Sequence, residues 1–246
     1  MNPRFFPYRT STAAVLAAVA VWASPAAAQT PAAQTPAGCP VLAAQVVLEP
    51  MEAPLRTDTV RSAAQLTAMP GRAPSPLGRQ AGRALGLTAA EFAARSRFQM
   101  VFQQQPGGPV CGALKTLTIS FGYARRTVYI ARELPPQSCI YGEVMGHEME
   151  HVAIDDRVLA EFRPRFQQQM EGLVEQLRPV QGRSADQVAR AIQRSVESVI
   201  NRSLDEFGRE RDRRQARLDT VEEYTRVSRS CGGELNTYLP VPGARR

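Results

Sequence analysis

"VMGHEMEHVAIDD", Val144 to Asp156, holds both histidines of a 246-residue chain, four positions apart, with a glutamate directly after the first. Residues four apart on an α-helix stand one turn above each other on the same face, so His147 and His151 can aim ring nitrogens at one point. The surrounding segment supports a helix. From Glu143 onward apolar residues recur as Met145, Met149, Val152, Leu159 and Phe162, which predicts one amphipathic helix running to Pro164, where the missing N–H should end it. Ser138, after the break at "PPQ", is the expected cap.

Working outward, Val188, Ile192, Val196, Val199, Ile200, Leu204 and Phe207 repeat at helical spacing that can continue to Leu218 and Val221, so the C-terminal half is expected to be largely helical. Upstream the period changes. Leu117, Ile119 and Phe121 alternate with Thr116, Thr118 and Ser120, and "TVYIA" (Thr127 to Ala131) follows a glycine-containing turn, which predicts a β-hairpin. "RFQMVFQQ" (Arg97 to Gln104) reads as a half-buried strand, preceded by a helix whose start is marked by Thr88 and Glu91 at capping-box spacing. "VLAAQVVLEP" (Val41 to Pro50) is a candidate first strand, Ser62 a cap for the short helix "SAAQLTAM", and "PGRAPSPLGRQAG" (Pro70 to Gly82) a loop. The expected fold class is α+β: a small antiparallel or mixed sheet packed on the histidine-bearing helix, with a largely helical C-terminal half.

The N-terminus has its own logic. Arg4 and Arg9 precede an apolar run, Ala13 to Ala23, followed by "SPAAAQT", the layout of a signal peptide cleaved after Ala28. The expected organisation is a signal peptide over 1–28, a Pro/Ala/Thr linker over 29–38, one domain over 39–232 and a tail over 233–246. No other apolar run is long enough to span a bilayer, and the expected location is the periplasm or the exterior. Cleavage removes two arginines and lowers the formal charge from +7 to +5.

Of the 30 basic residues only Lys115 is not arginine. Most arginines alternate with acids, as in "DEFGRERDRRQARLD", which reads as a solvated helix face. No nucleic-acid motif accompanies the charge, so the remaining attraction would be toward an anionic cell-envelope polymer. Cys39, Cys111, Cys139 and Cys231 form an even set, which in an exported chain reads as two disulfides with three possible pairings.

His147, Glu148 and His151 form the pattern H-E-x-x-H. In it the histidines bind Zn2+ and the glutamate, as general base, activates a metal-bound water that attacks a carbonyl carbon. Two histidines placed at random in this chain fall four apart about one time in a hundred, so chance explains the motif poorly. A catalytic tetrahedral site needs a third protein ligand. Arg157 occupies the position six residues past His151, where some patterns place a third histidine. The candidates are Asp219 and Glu222 in "LDTVEEY", with Glu161, Glu197 and Glu206 behind them. Asp219 or Thr220 followed by Glu222 or Glu223 is also the start signal of a last short helix. Asp155 lies about 12 Å along the helix from His147 and suits a partner behind a ligand better than a ligand. Tyr141 and Tyr224 are candidate donors to a developing oxyanion.

At this motif the chain resembles the zincins, the H-E-x-x-H metallopeptidases with a mixed sheet packed on the metal helix. The order of signal peptide, early strand, cysteine-containing hairpin and motif helix is similar to a family of putative secreted bacterial zinc-dependent proteases filed as a domain of unknown function. The resemblance implies His147 and His151 as zinc ligands, Glu148 as general base, and a peptide or protein substrate added to an edge strand such as "TVYIA". The rival reading is a non-catalytic periplasmic or envelope binding or assembly protein that keeps the H-E-x-x-H helix as structure.

Overall fold

A computed structural model describes residues 39–69 and 83–239; the expected signal peptide, linker and Pro70 to Gly82 loop, and the last residues of the tail, lie outside them. The chain runs β1 (Gln45–Glu52), β2 (Leu55–Asp58), α1 (Ala63–Thr67), β3 (Gly86–Gln104), β4 (Val110–Ile130), α2 (Cys139–Gln176), β5 (Val180–Gly182), α3 (Ala185–Leu218), α4 (Val221–Arg229) and, after a short 3-10 turn at Cys231–Gly233, α5 (Leu235–Tyr238). This is a mixed α+β fold with one five-stranded sheet. β4 is its spine. On one side β3 pairs with it antiparallel along nearly its whole length, and on the other β5, β1 and β2 follow one another end to end, β1 and β2 parallel to it.

The expected hairpin inside 117–131 is therefore corrected: the segment is one continuous strand. Its glycine bends the strand without reversing it. Gly122 has φ of 150°, and a Cβ there would overlap the carbonyl oxygen of Met51 on β1. Beside it Ala124 is an extra residue, because Tyr123 pairs with Phe92 and Arg125 with Glu91. Such a bulge switches the parity of the strand. Leu117, Ile119, Phe121 and Tyr123 face the helices before it, and Val128 and Ile130 after it. The true reversal lies at Gln105 to Pro109, between β3 and β4, where Gly107 takes φ of 63°.

The helix expected from Thr88 and Glu91 is likewise a strand. "TAAEFAARS" has a strong intrinsic helix preference, but ladder pairing with β4 over Gly86 to Gln104 outweighs it. Thr127 to Ala131, the expected edge, is interior, with Arg126 to Tyr129 on β2 and Thr127 to Ile130 on β3. Among the described strands the sheet has an edge on each side of β4, β3 on one and β5, β1 and β2 on the other.

α2 begins at the expected cap, Ser138 accepting from the backbone N–H of Tyr141 at 3.2 Å, but it passes Pro164. Phe166, Met170 and Val174 continue the buried stripe of Phe162 beyond the proline, whereas Pro164 sits on the exposed side, where water can satisfy the carbonyl left unbonded. α3 lays Val188, Ile192, Val196, Ile200 and Phe207 into the same core. A second cluster, with Val128, Ile130, Leu134, Ile140, Val144 and Val227, packs the start of α2 on the end of the sheet and on α4. The disulfides pair Cys39 with Cys111 and Cys139 with Cys231. Among the described residues no helix is long and apolar enough to cross a membrane.

Candidate metal centre

α2 and α3 run antiparallel, and each carries a polar residue at every fourth position where they meet. On α2 these are His147, His151 and Asp155; on α3 and its C-cap they are Arg211, Gln215 and Asp219. They interlock in reverse order. His151 Nε2 lies 3.2 Å from Asp219 Oδ1 and 3.2 Å from His147 Nε2, and His147 Nε2 lies 3.4 Å from Asp219 Oδ1. The three atoms form a nearly equilateral triangle. Ligand atoms around a tetrahedral ion with bonds of about 2.0–2.1 Å stand about 3.3 Å apart, so the donor set fits zinc without rearrangement.

The other nitrogen of each imidazole is engaged behind the triangle. His147 Nδ1 lies 3.3 Å from Glu223 Oε1, a carboxylate held ionised by the Arg226 guanidinium at 2.8 Å. His151 Nδ1 bonds Gln215 Oε1. A carboxylate and an amide oxygen can only accept, so both Nδ1 atoms carry a proton, and Nε2 of each ring is the atom that takes either a second proton or a metal ion.

Electrostatics points the same way. Burial works against charging the two imidazoles, but hydrogen bonds with Asp219 outweigh it, so both bind a proton more tightly than usual; His151, also bonded to Gln215 and close to Glu148, is pushed up to about 9. Burial would raise Asp219 too, yet its bonds to His147 and His151 hold the carboxylate well below the usual range. Such a cluster demands positive charge, and protons supply it when no cation is present.

Glu148, between the two histidines, packs against the start of β3. It is 5 % exposed, its Oε2 accepts from the Thr88 hydroxyl at 2.8 Å, and a Cβ on Gly86 would press to 2.7 Å from its Cγ. Burial raises its proton affinity against the opposing effects of the His151 charge and the Thr88 bond. Tyr224 enters the site, its hydroxyl 3.4 Å from Asp219 Oδ1 and its ring edge-on to His147.

Of the candidate third ligands, only Asp219 reaches the histidines. Glu161 is tied to Arg214, and Glu222, Glu197 and Glu206 are exposed. Thr220 caps α4 by accepting from the Glu223 N–H at 3.1 Å, so the helix-start signal and the placement of Asp219 coexist in neighbouring residues. Asp155, fully buried, accepts from Arg211 and Gln215 behind His151. Gln215, Glu223, Thr88 and Gly86 were not foreseen as site residues; the spacing of four from Arg211 through Gln215 to Asp219 was the available signal for the first. Tyr141 stays in the apolar cluster at the start of α2. No family model, curated protein or solved structure matches the chain.

Proposed function

We propose that this chain is an exported zinc-dependent hydrolase, a metallopeptidase of zincin type, in which His147, His151 and Asp219 hold the ion and Glu148 is the general base. The observation that carries the reading is the triangle of two Nε2 atoms and one Oδ1 atom at 3.2–3.4 Å, with both imidazoles anchored from behind. Zinc bound there supplies Lewis acidity toward water and toward a carbonyl oxygen. Glu148, on the turn that carries both histidines, takes the proton of the attacking water and passes it to the leaving amine; its burial raises its proton affinity, which suits that exchange. The Tyr224 hydroxyl, 3.4 Å from Asp219 Oδ1, supports a role as donor to charge developing on the substrate oxygen.

The β3 edge of the sheet supports a peptide substrate. β3 is paired only with β4 among the described strands, and its first residues, Gly86 to Thr88, touch Glu148. An extended peptide added along this edge by main-chain hydrogen bonds would pass the general base. The sequence over 1–28 and the two disulfides support a periplasmic or secreted location.

The test is Glu148→Gln. Turnover of peptides cleaved by the wild-type chain should fall about 10²–10⁴-fold, the usual contribution of a general base, with zinc content unchanged. Unchanged turnover, or zinc lost with the carboxylate, would contradict the assignment.

A further inference from the structure

The two imidazoles are held from behind in chemically different ways. His147 Nδ1 meets the Glu223 carboxylate near the surface, and that carboxylate is shared with Arg226. His151 Nδ1 meets a neutral amide, whose orientation is set more deeply. The Gln215 NH2 group has two acceptors, the backbone carbonyl of His151 at 3.1 Å and Asp155 Oδ1. Asp155 is fully buried, and the Arg211 guanidinium grips it at 2.7 and 3.2 Å. The backbone carbonyl of Asp155 itself accepts from the Tyr123 hydroxyl at 3.0 Å. A carboxylate gripped by a guanidinium and a carbonyl oxygen both demand the nitrogen end of the amide, so Oε1 must point at His151 Nδ1.

We propose that Gln215 is a positioning residue for the metal centre: with Asp155 and Arg211 behind it, it locks His151 in the tautomer and ring orientation that present Nε2 to the ion. The inference rests on the metal reading above and goes beyond it, because it makes α3 a working part of the site through a residue that touches neither ion nor substrate. The alternative role for the same residue is mere packing between α2 and α3. The two roles predict different things, since packing acts on stability, whereas a tautomer lock acts on one imidazole N–H. A ligand held this way gains affinity because the ion need not reorient the ring, and loss of such a partner typically costs about 10–100-fold in metal affinity.

The experiment uses the oxidised mature chain loaded with cobalt(II) alone, comparing wild type, Gln215→Leu and Gln215→Asn. Cobalt shifts the ring N–H protons of its ligands far from other resonances, so each bound histidine reports on its own Nδ1–H. The wild type should show two such protons exchanging slowly with water. Gln215→Leu should lose the slow exchange of the His151 proton alone and weaken cobalt binding about 10–100-fold. Gln215→Asn, one methylene too short to span Asp155 and His151 together, should do the same and keeps the test intact if the leucine variant does not fold. Two slowly exchanging protons and an affinity within about twofold of wild type, in either folded variant, would overturn the inference and leave the metal reading standing. A wild-type chain that takes up no cobalt would overturn both.

Discussion

Asp219 Oδ1 stands 3.2 Å from His151 Nε2, although the two residues are 68 positions apart in the chain. The contact exists because α3 returns antiparallel along α2 and ends, at its C-cap, level with the histidine turn. Replacing Asp219 by Asn keeps the shape and removes the charge. Zinc affinity measured by calorimetric titration should fall by more than the 10–100-fold typical of residues behind a ligand, whereas the exposed Glu222→Gln should leave it unchanged. Equal affinities for the two variants would remove Asp219 from the ligand set.

Proton linkage gives the metal-free protein a distinctive pH profile. His151 has a folded pKa of about 9 against 6.5 for the unfolded chain. Its stabilisation is complete below the unfolded value and lost as pH rises through the folded one. Asp219 is held below its usual 3.8, so its contribution is present above that value and lost as pH falls through the folded pKa. With a chelator present, Tm should peak between about pH 4 and 6.5 and decline toward pH 9. Zinc competes for the same lone pairs, so the gain in Tm on adding zinc should grow over that decline. A metal-free Tm that stays level across the upper range would contradict this electrostatic picture.

The Cys139–Cys231 bridge joins the start of α2 to the segment just after α4 and closes a loop of 92 positions that contains every residue of the triangle. Glu234 adds to the clamp by accepting from the Ile140 N–H at 2.9 Å. Replacing both cysteines by serine should cost about 3–4 kcal/mol of stability and weaken zinc binding, because the α4 segment that carries Glu223 and follows Asp219 then loses its covalent tie to the start of α2. Replacing Cys39 and Cys111 should lower stability and spare the affinity. Zinc titration of the two double variants separates these outcomes, and equal affinities would show that the clamp does not serve the site.

Gly86 marks where β3 meets Glu148, the proposed general base. Gly86→Ala places a methyl group against the Glu148 side chain and should displace its carboxylate, reducing peptide turnover at least about tenfold with zinc content preserved. Wild-type turnover in this variant would show that the position of Glu148 against β3 is not used in catalysis.

The helical half of the molecule was legible because its apolar residues keep one period over long stretches, and the histidine pair was legible because four residues equal one turn. The sheet was less so. Gly122 reads as a turn in isolation, and only the strands on either side of β4 convert it into a bend within a continuous strand. "TAAEFAARS" prefers a helix by composition, and its partner strand decides otherwise. Pro164 ends a helix only where both faces depend on the local bond, and here the buried stripe on the opposite side carries α2 onward. Asp219 could be named among candidates but not chosen, since its selection depends on the length of α3 and the cap at Thr220. Gln215 and Asp155 belong to two series with a spacing of four, on α2 and α3, and only their antiparallel meeting shows that the two series interlock.

The most direct test of the central claim is elemental metal analysis of the protein without residues 1–28, purified oxidised, beside the His147→Ala, His151→Ala double variant. The account predicts about one zinc per chain in the wild type and none in the variant with both disulfides still formed. No zinc in the wild type, even after incubation with added metal, would contradict it.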